Sequence, residues 1–226
     1  MKNVAVIAAA GSGKRFKSRT PKQFVKVSGR EILARAIDDF ERAEDICAIV
    51  IVAAPEYMWR AASLVKRYGY TKVKAVISGG EERFSSVYNA VCFLKKYMPD
   101  NVLVHDGARP KACVELIKRI IRELKKSKAV VPVNRIYGTV KEVKNGIIKK
   151  TLDREVLRTS HTPLGFNFRE MAKLYDIKKL EKLRPTDDAA VFEAAGYKVR
   201  CIEDETENIK VTVKKDIAKI RHGEHK

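Results

Sequence analysis

Residues 4–16 read Val-Ala-Val-Ile-Ala-Ala-Ala-Gly-Ser-Gly-Lys-Arg-Phe, an apolar run that passes at once into a loop of small residues. The first four residues are apolar and mostly β-branched, which is typical of a strand buried on both faces of a parallel sheet. In the loop, Gly11 and Gly13 let a ligand lie against the backbone, whose free N–H groups can bind phosphate oxygens. Three basic residues follow in the same neighbourhood: Lys14, Arg15 and Lys22. The combination predicts a polyphosphate site at the end of the first strand.

Two better-known glycine loops do not match this stretch. A Walker A loop requires glycine where Ala8 stands and serine or threonine where Arg15 stands. The dinucleotide-binding fingerprint requires glycine or another small residue where the bulky Phe16 stands. The loop is therefore not a Walker A motif, and a nicotinamide or flavin site is disfavoured.

The composition is that of a soluble globular protein: 226 residues, 45% of them hydrophobic and 33% charged. The sequence contains no apolar run of about 18 residues, the length that a membrane-spanning helix requires. The first strand starts almost at the first residue, which leaves no room for a signal peptide. We therefore expect a cytoplasmic protein without a membrane partner.

The cysteines and histidines are scattered along the chain. Each cysteine has apolar neighbours, so we expect buried free thiols in a reducing compartment and no disulfide. The sequence has no Cys-x-x-Cys pair, and a structural zinc site is therefore not indicated. The four cysteines are Cys47, Cys92, Cys113 and Cys201.

The formal net charge of +19 raises the alternative of a nucleic-acid-binding protein. The basic residues are, however, spread over many segments and mixed with acidic ones, as in residues 118–128 and 173–184, which is typical of solvated helix faces. Aromatic residues are not interleaved with the basic runs. We therefore expect anionic small-molecule substrates and no nucleic-acid partner, with a basic nucleic-acid-binding protein as the remote alternative.

After the glycine loop, apolar strands alternate with amphipathic helices, which predicts an α/β fold with a doubly wound, mostly parallel sheet in one domain over residues 1–226. Two further predicted strands, 73–77 and 101–106, also run into glycine-containing turns. Because ligands in such sheets bind beyond the carboxyl ends of the strands, these turns are candidate parts of the same site.

The C-terminal third carries weaker signals. Its pattern predicts one helix over residues 167–178 and a second helix with Thr186 as its N-cap, followed by the acidic Asp187 and Asp188. Residues 207–212 are predicted to form the strand that closes the sheet.

Residues 134–157 interrupt the alternation of strands and helices. Two segments, 139–143 and 147–152, flank Asn145-Gly146, and Asn-Gly between alternating segments is the strongest short signal of a β-hairpin. An insertion of this size needs a partner for its apolar face. We expect a protruding β-hairpin arm, with a hairpin folded back on its own domain as the alternative.

Several blocks of the chain resemble, in the same order, the nucleotidyltransferases that join a nucleoside triphosphate to a sugar or polyol phosphate. The first is Ala-Ala-Gly-x-Gly-x-Arg over residues 9–15, followed by Pro-Lys-Gln at residues 21–23. The later blocks are Gly-Gly-Glu-x-Arg-x-x-Ser from residue 79, Val-His-Asp-Gly-Ala-Arg-Pro from residue 104, Thr-Pro at residue 162 and Asn-Ile-Lys-Val-Thr from residue 208. Among these enzymes, the chain most resembles the 2-C-methyl-D-erythritol 4-phosphate cytidylyltransferase family of the non-mevalonate isoprenoid route, which implies a Rossmann-like nucleotidyltransferase fold.

This resemblance also implies a reaction and a set of site residues. The cytidylyl group of CTP would be transferred to 2-C-methyl-D-erythritol 4-phosphate, giving CDP-methylerythritol and pyrophosphate. The catalytic cations would be Arg15, Lys22 and Lys210. The nucleotide would be bound by Ala9, Ala10, Gly11, Ser12, Gly13, Lys14, Gly80, Glu81, Arg83, Ser86 and Asp106. The acceptor substrate would be bound by Arg109, Thr139, Arg154 and Thr162.

A metal ion and a second subunit are implied in the same way. Mg²⁺ would be held mainly by the CTP phosphates, with Asp106 near the metal region and no residue of the chain assigned as a metal ligand. The 134–157 arm would embrace the partner in a homodimer and bring Thr139 and Arg154 to the partner's acceptor site.

Two features bear on the identity of the acceptor. Family members commonly have glutamine after Thr-Pro, where this chain has Leu164-Gly165. Ribitol-5-phosphate cytidylyltransferases share most of the blocks and are the alternative, although Ala9-Ala10-Gly11 in place of Ala-Gly-Gly favours methylerythritol phosphate. The departure at Leu164 bears on the acceptor rather than on the type of reaction.

Overall fold

The computed structural model describes residues 2–11, 13–18, 20–204, 206 and 208–222. Its strands are β1 (Asn3–Ala9), β2 (Lys26–Val27), β3 (Arg30–Glu31), β4 (Ile46–Ala53), β5 (Val73–Ser78), β6 (Asn101–Asp106), β7 (Ala129–Arg135), β8 (Val140–Lys144), β9 (Ile147–Leu152), β10 (Arg158–Ser160), β11 (Leu164–Asn167) and β12 (Arg200–Glu203). Its α-helices are α1 (Ile32–Arg42), α2 (Met58–Tyr68), α3 (Arg83–Leu94), α4 (Val114–Leu124), α5 (Phe168–Leu174), α6 (Ile177–Leu183), α7 (Ala189–Ala194) and α8 (Asp216–His222).

The main sheet has eight strands in the order β10-β7-β11-β6-β1-β4-β5, with β12 paired to β7. Strand β1 lies at its centre between β4 and β6, parallel to both. Strand β11 runs antiparallel to its neighbours β6 and β7, and β10 runs antiparallel to β7. The sheet is therefore mostly parallel, as the sequence predicts.

Helices cover both faces of this sheet because alternate residues of each strand point to opposite faces. Ala5 and Ile7 of β1 pack in one apolar core with α1, α2 and α4. Val4 and Val6 pack in a second core with α3, α5, α6 and α7. The doubly wound α/β architecture is confirmed.

The register brings the ends of the central strands to one edge. Ala8 of β1 lies beside Asp106 of β6, and Ala9 lies beside Ala53 of β4. The residues that follow β1, β5 and β6 therefore meet at the carboxyl edge of the sheet, where ligands bind in this type of fold.

Strands β8 and β9 form a separate two-stranded sheet, which confirms the predicted hairpin. Its turn uses Asn145 and Gly146 with φ angles of 52° and 77°, and asparagine and glycine adopt this left-handed conformation most readily. Apolar side chains are left exposed on the hairpin: Val143, Ile147 and Ile148 are 56%, 62% and 59% exposed. The hairpin therefore lies outside the two apolar cores.

Three predictions for the C-terminal third are wrong. The single helix predicted over residues 167–178 is two helices, because Asp176 accepts a hydrogen bond from the backbone N–H of Lys179 and starts α6. Thr186 is not the N-cap of α7; Asp187 instead accepts a hydrogen bond from the backbone N–H of Ala190. Residues 208–212 form no strand.

The four cysteines are free, but their expected burial is wrong. Cys47, Cys92 and Cys201 are exposed, and Cys113 is half-buried. Apolar neighbours did not predict burial of Cys47 in β4 or Cys201 in β12, because alternate residues of a strand face opposite sides, nor that of Cys92, which lies on an exposed position of α3. None of the helices described is long and apolar enough to cross a membrane.

Candidate active site

A pocket of about 340 Å³ lies at the carboxyl edge of the sheet, against the ends of β1 and β6. It brings together twelve of the residues predicted for the catalytic and nucleotide-binding site: Ala9, Ala10, Gly11, Gly13, Arg15, Lys22, Gly80, Glu81, Arg83, Ser86, Asp106 and Lys210. Of the remaining two, Ser12 lies outside the described residues, and only the backbone of Lys14 is described, in a short 3-10 turn. We call this the first pocket.

The glycine loop is held in shape by Gln23. This side chain is buried, and its Nε2 donates hydrogen bonds to the carbonyl oxygens of Ala9 (2.7 Å) and Gly11 (3.4 Å). Gly13 has a φ angle of 63°, which an L-residue with a side chain rarely adopts. Although Gln23 belongs to the Pro-Lys-Gln block, the sequence analysis assigned it no role.

The second glycine turn packs directly against the first. A Cβ atom on Gly79 would lie 2.4 Å from the Cβ of Ala10, so only glycine fits at this contact. The backbone N–H of Gly80 donates to Oγ of the buried Ser86 at 3.1 Å. This hydrogen bond ties the turn to the first turns of α3, while Glu81 stays exposed at the rim of the pocket.

Lys22 lies at the floor of the first pocket, and its Nζ donates to the carbonyl oxygen of Val211 at 2.8 Å. Burial lowers the pKa of Lys22, and repulsion by Lys210 and Arg15 lowers it further, while Asp106 partly opposes the shift. Arg15 is exposed at the mouth of the pocket. Anionic ligands would relieve the mutual repulsion of these three cations.

The carboxylate of Asp106 lies among three cations. Its Oδ2 is 2.8 Å from Nζ of Lys210 and 3.4 Å from Nε of Arg109, and its Oδ1 is 3.4 Å from Nε of Arg83. Burial alone would raise the pKa of Asp106, but Arg83, Lys210 and Arg109 hold it well below its usual range. Asp106 therefore stays ionised and fixes the position of Lys210.

The guanidinium group of Arg83 also forms an ion pair with a second carboxylate, that of Asp188. Its Nη2 is 2.7 Å from Oδ2 of Asp188, which is almost completely buried. The hydroxyl of Tyr175 donates to the other oxygen of Asp188 at 2.6 Å. Burial would lower the pKa of Arg83, but Asp188 and Asp106 raise it above its usual value. No sequence pattern indicated a role for Tyr175, and the pattern around Asp188 predicted chiefly an acidic residue in the first turn of a helix.

A second pocket of about 240 Å³ adjoins the first and shares Arg83, Asp106 and Lys210 with it. Its lining includes two residues predicted to bind the acceptor, Arg109 and Thr162. The other lining residues are Ser160, His161, Leu164, Thr186 and Asp187.

Thr162 sits at the centre of a buried hydrogen-bond network. Its Oγ1 accepts from the backbone N–H of Asp106 at 3.1 Å and lies 2.9 Å from Nδ1 of His105. The other ring nitrogen of His105 is 3.0 Å from the carbonyl oxygen of Arg109. Burial lowers the pKa of His105 to about 4, so its ring is neutral near pH 7. Sequence reasoning left His105 without a role.

In the Leu164-Gly165 pair, which stands where the family commonly has glutamine after Thr-Pro, packing explains the glycine. A Cβ atom on Gly165 would lie 2.3 Å from Cγ2 of Ile120 in α4, so the strand can approach this helix only with glycine. Leu164 is buried and forms part of the second pocket.

Thr139 and Arg154 lie outside the lining of both pockets. Thr139 is exposed just before β8, and Arg154 is exposed after β9, where its Nη1 donates to the carbonyl oxygen of Tyr137 at 2.5 Å. Within one chain, therefore, the structure does not bring these two predicted residues to the other predicted site residues.

No group of three or more His, Cys, Asp or Glu side chains among the described residues could hold a metal ion. The buried carboxylate of the first pocket, Asp106, is already paired with cations. The chain alone therefore offers no complete metal site in the part that the structure describes. The arrangement is suited instead to holding two anions beside each other, one in each pocket, with Lys210 between them.

A family model and curated relatives point to the same enzyme family. The family model described as 2-C-methyl-D-erythritol 4-phosphate cytidylyltransferase matches residues 3–222. The curated proteins of that name from Thermosipho melanesiensis and Petrotoga mobilis are 39% and 37% identical, over 95% and 94% of this chain and 94% and 93% of theirs.

Solved structures agree with these matches. The 4-diphosphocytidyl-2C-methyl-D-erythritol synthase of Anaerococcus prevotii superposes with a TM-score of 0.86 and 27% identity, covering 100% of this chain and 96% of that one. The 2-C-methyl-D-erythritol 4-phosphate cytidylyltransferase of Francisella tularensis gives 0.82 and 29%, covering 98% and 99%.

Proposed function

The chain belongs to the 2-C-methyl-D-erythritol 4-phosphate cytidylyltransferase family, and from this premise we propose that it transfers the cytidylyl group of CTP to 2-C-methyl-D-erythritol 4-phosphate. The products are CDP-methylerythritol and pyrophosphate. The observation that supports this reaction best is the pair of adjoining pockets that share Asp106 and Lys210. One pocket has the glycine loop of a polyphosphate site, and the other has an arginine and a threonine suited to a polyol phosphate.

In this reaction an oxygen of the acceptor's phosphate attacks the α-phosphorus of CTP. A new P–O bond forms, and the bond from the α-phosphorus to the oxygen that bridges to the β-phosphorus breaks, so pyrophosphate leaves with that electron pair. The attacking phosphate is already anionic near neutral pH and needs no serine or cysteine nucleophile. The protein's task is to hold two mutually repelling anions together and to stabilise the charge that develops in the transition state.

The first pocket supplies fixed cations for this task. We assign Lys22 and Arg15 to the α-phosphate and the leaving group, and the glycine loop to the triphosphate backbone. Lys22 is held by its hydrogen bond to Val211, so its charge is in place before the substrate arrives. Preorganised charges of this kind cost no rearrangement at the moment of reaction.

Lys210 lies at the junction of the two pockets. Its ion pair with Asp106 fixes the ammonium group where it can contact both substrates. We assign Arg109 and Thr162 of the second pocket to the acceptor phosphate and its hydroxyl groups. Gly80, Glu81 and Ser86 are assigned to the cytosine and ribose.

The hairpin over residues 134–157 is proposed to complete this site in a homodimer. Its exposed apolar side chains, which belong to neither of the two cores, support a partner subunit as their cover. Thr139 and Arg154 would then bind the acceptor in the partner's second pocket.

Mg²⁺ is assigned to the CTP phosphates rather than to a site built by the chain. The described residues offer no cluster of metal ligands. When bound, the ion would neutralise phosphate charge, and the steps assigned above to the protein depend on its own cations. Because CTP is a cytoplasmic nucleotide, we predict a cytoplasmic location.

The test is pyrophosphate release by the purified chain with Mg²⁺ and CTP, offering methylerythritol 4-phosphate and ribitol 5-phosphate in parallel. ATP, GTP and UTP serve as nucleotide controls. We expect turnover only with CTP and methylerythritol phosphate. Turnover with ribitol phosphate instead would keep the mechanism and change the acceptor. Absence of turnover together with steeply salt-dependent retention of DNA or RNA would favour the nucleic-acid-binding alternative.

A further inference from the structure

Lys210 is carried by a segment without helix or strand. The described residues that connect β12 to α8 are 204, 206 and 208–215, and they form neither helix nor strand. The ammonium group of Lys210 nevertheless lies 2.8 Å from Asp106. Something other than a helix or strand must therefore hold this segment in place.

The contacts of Asn208 hold the segment that carries Lys210 in place. Its side chain is buried, and its Nδ2 donates a hydrogen bond to the carbonyl oxygen of Thr162. The same Nδ2 is 3.3 Å from Nδ1 of His161. The carbonyl oxygen of Asn208 accepts from Nη1 of Arg109 at 2.6 Å. Asn208 thus joins the Lys210 segment to the second pocket through three different residues.

His161 is in turn oriented by Asp204. Both side chains are buried, and Nε2 of His161 is 3.3 Å from Oδ2 of Asp204. Asp204 is fixed at the edge of the sheet, since its backbone N–H donates to Val133 and its Oδ2 accepts from the hydroxyl of Thr206 at 2.6 Å. If the proton of the neutral ring is on Nε2, at ion-pair distance from this carboxylate, the lone pair of Nδ1 faces the amide of Asn208.

We propose that Asn208 and His161 are positioning residues, which lock the segment of Lys210 to the second pocket while Nδ1 of His161 is unprotonated. This inference rests on the proposed function only through the catalytic role of Lys210. Neither residue is assigned to substrate here, and both act through the placement of Lys210.

Protonation of His161 would break this lock. A second ring proton on Nδ1 would face the carbonyl oxygen of Thr162 at 3.4 Å, and Nδ1 would no longer be an acceptor for the amide of Asn208. Burial lowers the pKa of His161, and Asp204 partly opposes that shift while Arg109 adds to it. The other groups that face the ring are the carbonyl of Thr162 and the amide of Asn208. The ring is therefore neutral near pH 7, and the lock weakens in acid.

The first experiment replaces Asn208 with alanine. We expect kcat for pyrophosphate release to fall by about tenfold to a hundredfold, because small displacements of a catalytic group have effects of that size. KM for CTP should change by less than about threefold, since the contacts of the first pocket remain. Asn208→Asp is the second variant: its carboxylate faces the carbonyl of Thr162 and should lower kcat in the same way while preserving side-chain volume.

A second measurement does not depend on turnover. The backbone N–H of Val211 donates to the carbonyl oxygen of Ala108 at 2.9 Å, and this bond sits beside Lys210. In both Asn208 variants we expect amide hydrogen exchange at Val211 to speed up by about tenfold or more. Unchanged exchange at Val211 in a folded variant would overturn the proposal, whatever the activity shows.

Two substitutions of His161 separate positioning from simple support of the fold. His161→Asn places an amide oxygen near the position of Nδ1 and cannot be protonated, so kcat at pH 7 should stay within about threefold of wild type. His161→Leu removes the acceptor and should lower kcat about tenfold or more. With the same substrates, wild type should lose activity on acidification more steeply than His161→Asn. Equal acid limbs in the two proteins would contradict the proposal.

The matched control is Asn101→Ala. Asn101 is a buried asparagine at the opposite end of the sheet, and its Nδ2 donates to Oδ1 of Asn3 at 2.8 Å. This variant should lose stability but keep the kcat, the pH profile and the Val211 exchange of wild type. If wild type itself shows no turnover, the proposed function fails while the exchange measurement still decides the positioning role. If wild type turns over and the Asn208 variants match it, the positioning role alone fails.

Discussion

The carboxyl edge of the sheet and the hairpin arm are built in opposite ways. At the sheet edge, Asp106, Arg83 and Asp188 are held in place by several partners each and are largely buried. On the arm, Ile147 and Ile148 are more than half exposed, and β8 and β9 pair only with each other in the described sheet topology. The side chains of the first region find their partners within one chain, whereas the second has apolar surface that one chain does not cover.

This difference separates two kinds of site residue. Side chains of the sheet edge have fixed positions that the protein provides before any ligand binds. Thr139 and Arg154, in contrast, are exposed and line neither pocket of their own chain. Substitutions at the sheet edge should therefore affect the chemistry directly, and substitutions on the arm should act between subunits if the arm serves the partner's site as proposed.

The largest effect is expected at Lys22. Lys22→Ala should lower kcat by about a hundredfold or more, as the loss of one preorganised charge does. Lys26→Ala serves as the control, because this lysine is exposed in β2 and lines neither pocket. Steady-state kinetics on both variants test the assignment, and a folded Lys22→Ala enzyme with wild-type turnover would refute it.

The next effect is expected on the arm. Arg154→Ala should lower kcat/KM for the acceptor by about tenfold, the usual effect of losing one charged hydrogen bond to a phosphate. If the arm serves the partner's site, mixing equal amounts of Lys22→Ala and Arg154→Ala subunits should restore activity to about a quarter of wild type, because half of the dimers are mixed and each has one intact site.

The subunit-mixing experiment needs each variant alone as a control. The two variants are mixed after dissociation and reassociation, and each is also treated alone. If the activity of the mixture is no higher than the average of the two separate variants, the arm serves the site of its own subunit. That result would contradict the difference drawn here between the sheet edge and the arm.

The same substitution in both regions should have different effects on stability. Gly165→Ala places a Cβ atom 2.3 Å from Ile120 and should lower the free energy of unfolding by about 1–3 kcal/mol through overpacking. Gly138→Ala, in the arm, has no atom within 4 Å of the added Cβ and no left-handed φ, so stability should change by less than about 1 kcal/mol. Urea unfolding measures both, and equal losses would contradict this account of the packing.

The last prediction concerns the pH dependence of stability and the buried histidine beneath the site. The folded pKa of His105 is about 4, below the value of about 6.5 in an unfolded chain, so between these values the unfolded state binds more protons. His105 therefore contributes stability that is present above pH 6.5 and is lost as pH falls towards 4, by at most about 1.4 kcal/mol per pH unit.

Comparing wild type with His105→Gln isolates this contribution. Urea unfolding at several pH values between 4.5 and 7 should give a shallower pH dependence in the variant, even if its stability is lower throughout. Parallel pH dependences in the two proteins would mean that His105 does not lose its proton on folding as described.

Much of the fold could be predicted because its signals are local. The apolar run of β1, the helical spacing of α1 and the Asn-Gly turn of the hairpin each depend on a few neighbouring residues. The errors arose where side chains compete for backbone hydrogen bonds: Asp176 starts a new helix inside a continuous amphipathic pattern, and Asp187 takes the capping position expected for Thr186. The strand predicted over residues 207–212 is wrong for the described residues 208–212, which are held by the contacts of Asn208 and by a single backbone hydrogen bond from Val211 to Ala108 rather than by a strand neighbour.

The sequence by itself determined which chemistry is available: a strand that ends in a glycine loop, basic residues in the blocks that follow, and a hairpin inserted after the fifth strand of the main sheet. Only the tertiary structure decided which of these groups meet. Lys22 bonds to Val211 across 189 positions of the chain, and Asp188 holds Arg83 across the core. Gln23, His105, Tyr175 and Asn208 gained their roles in the same way. Local patterns depend on the periodicity of neighbouring residues, whereas these contacts depend on how strands register and helices pack, which brings distant residues within hydrogen-bond distance only in the folded chain.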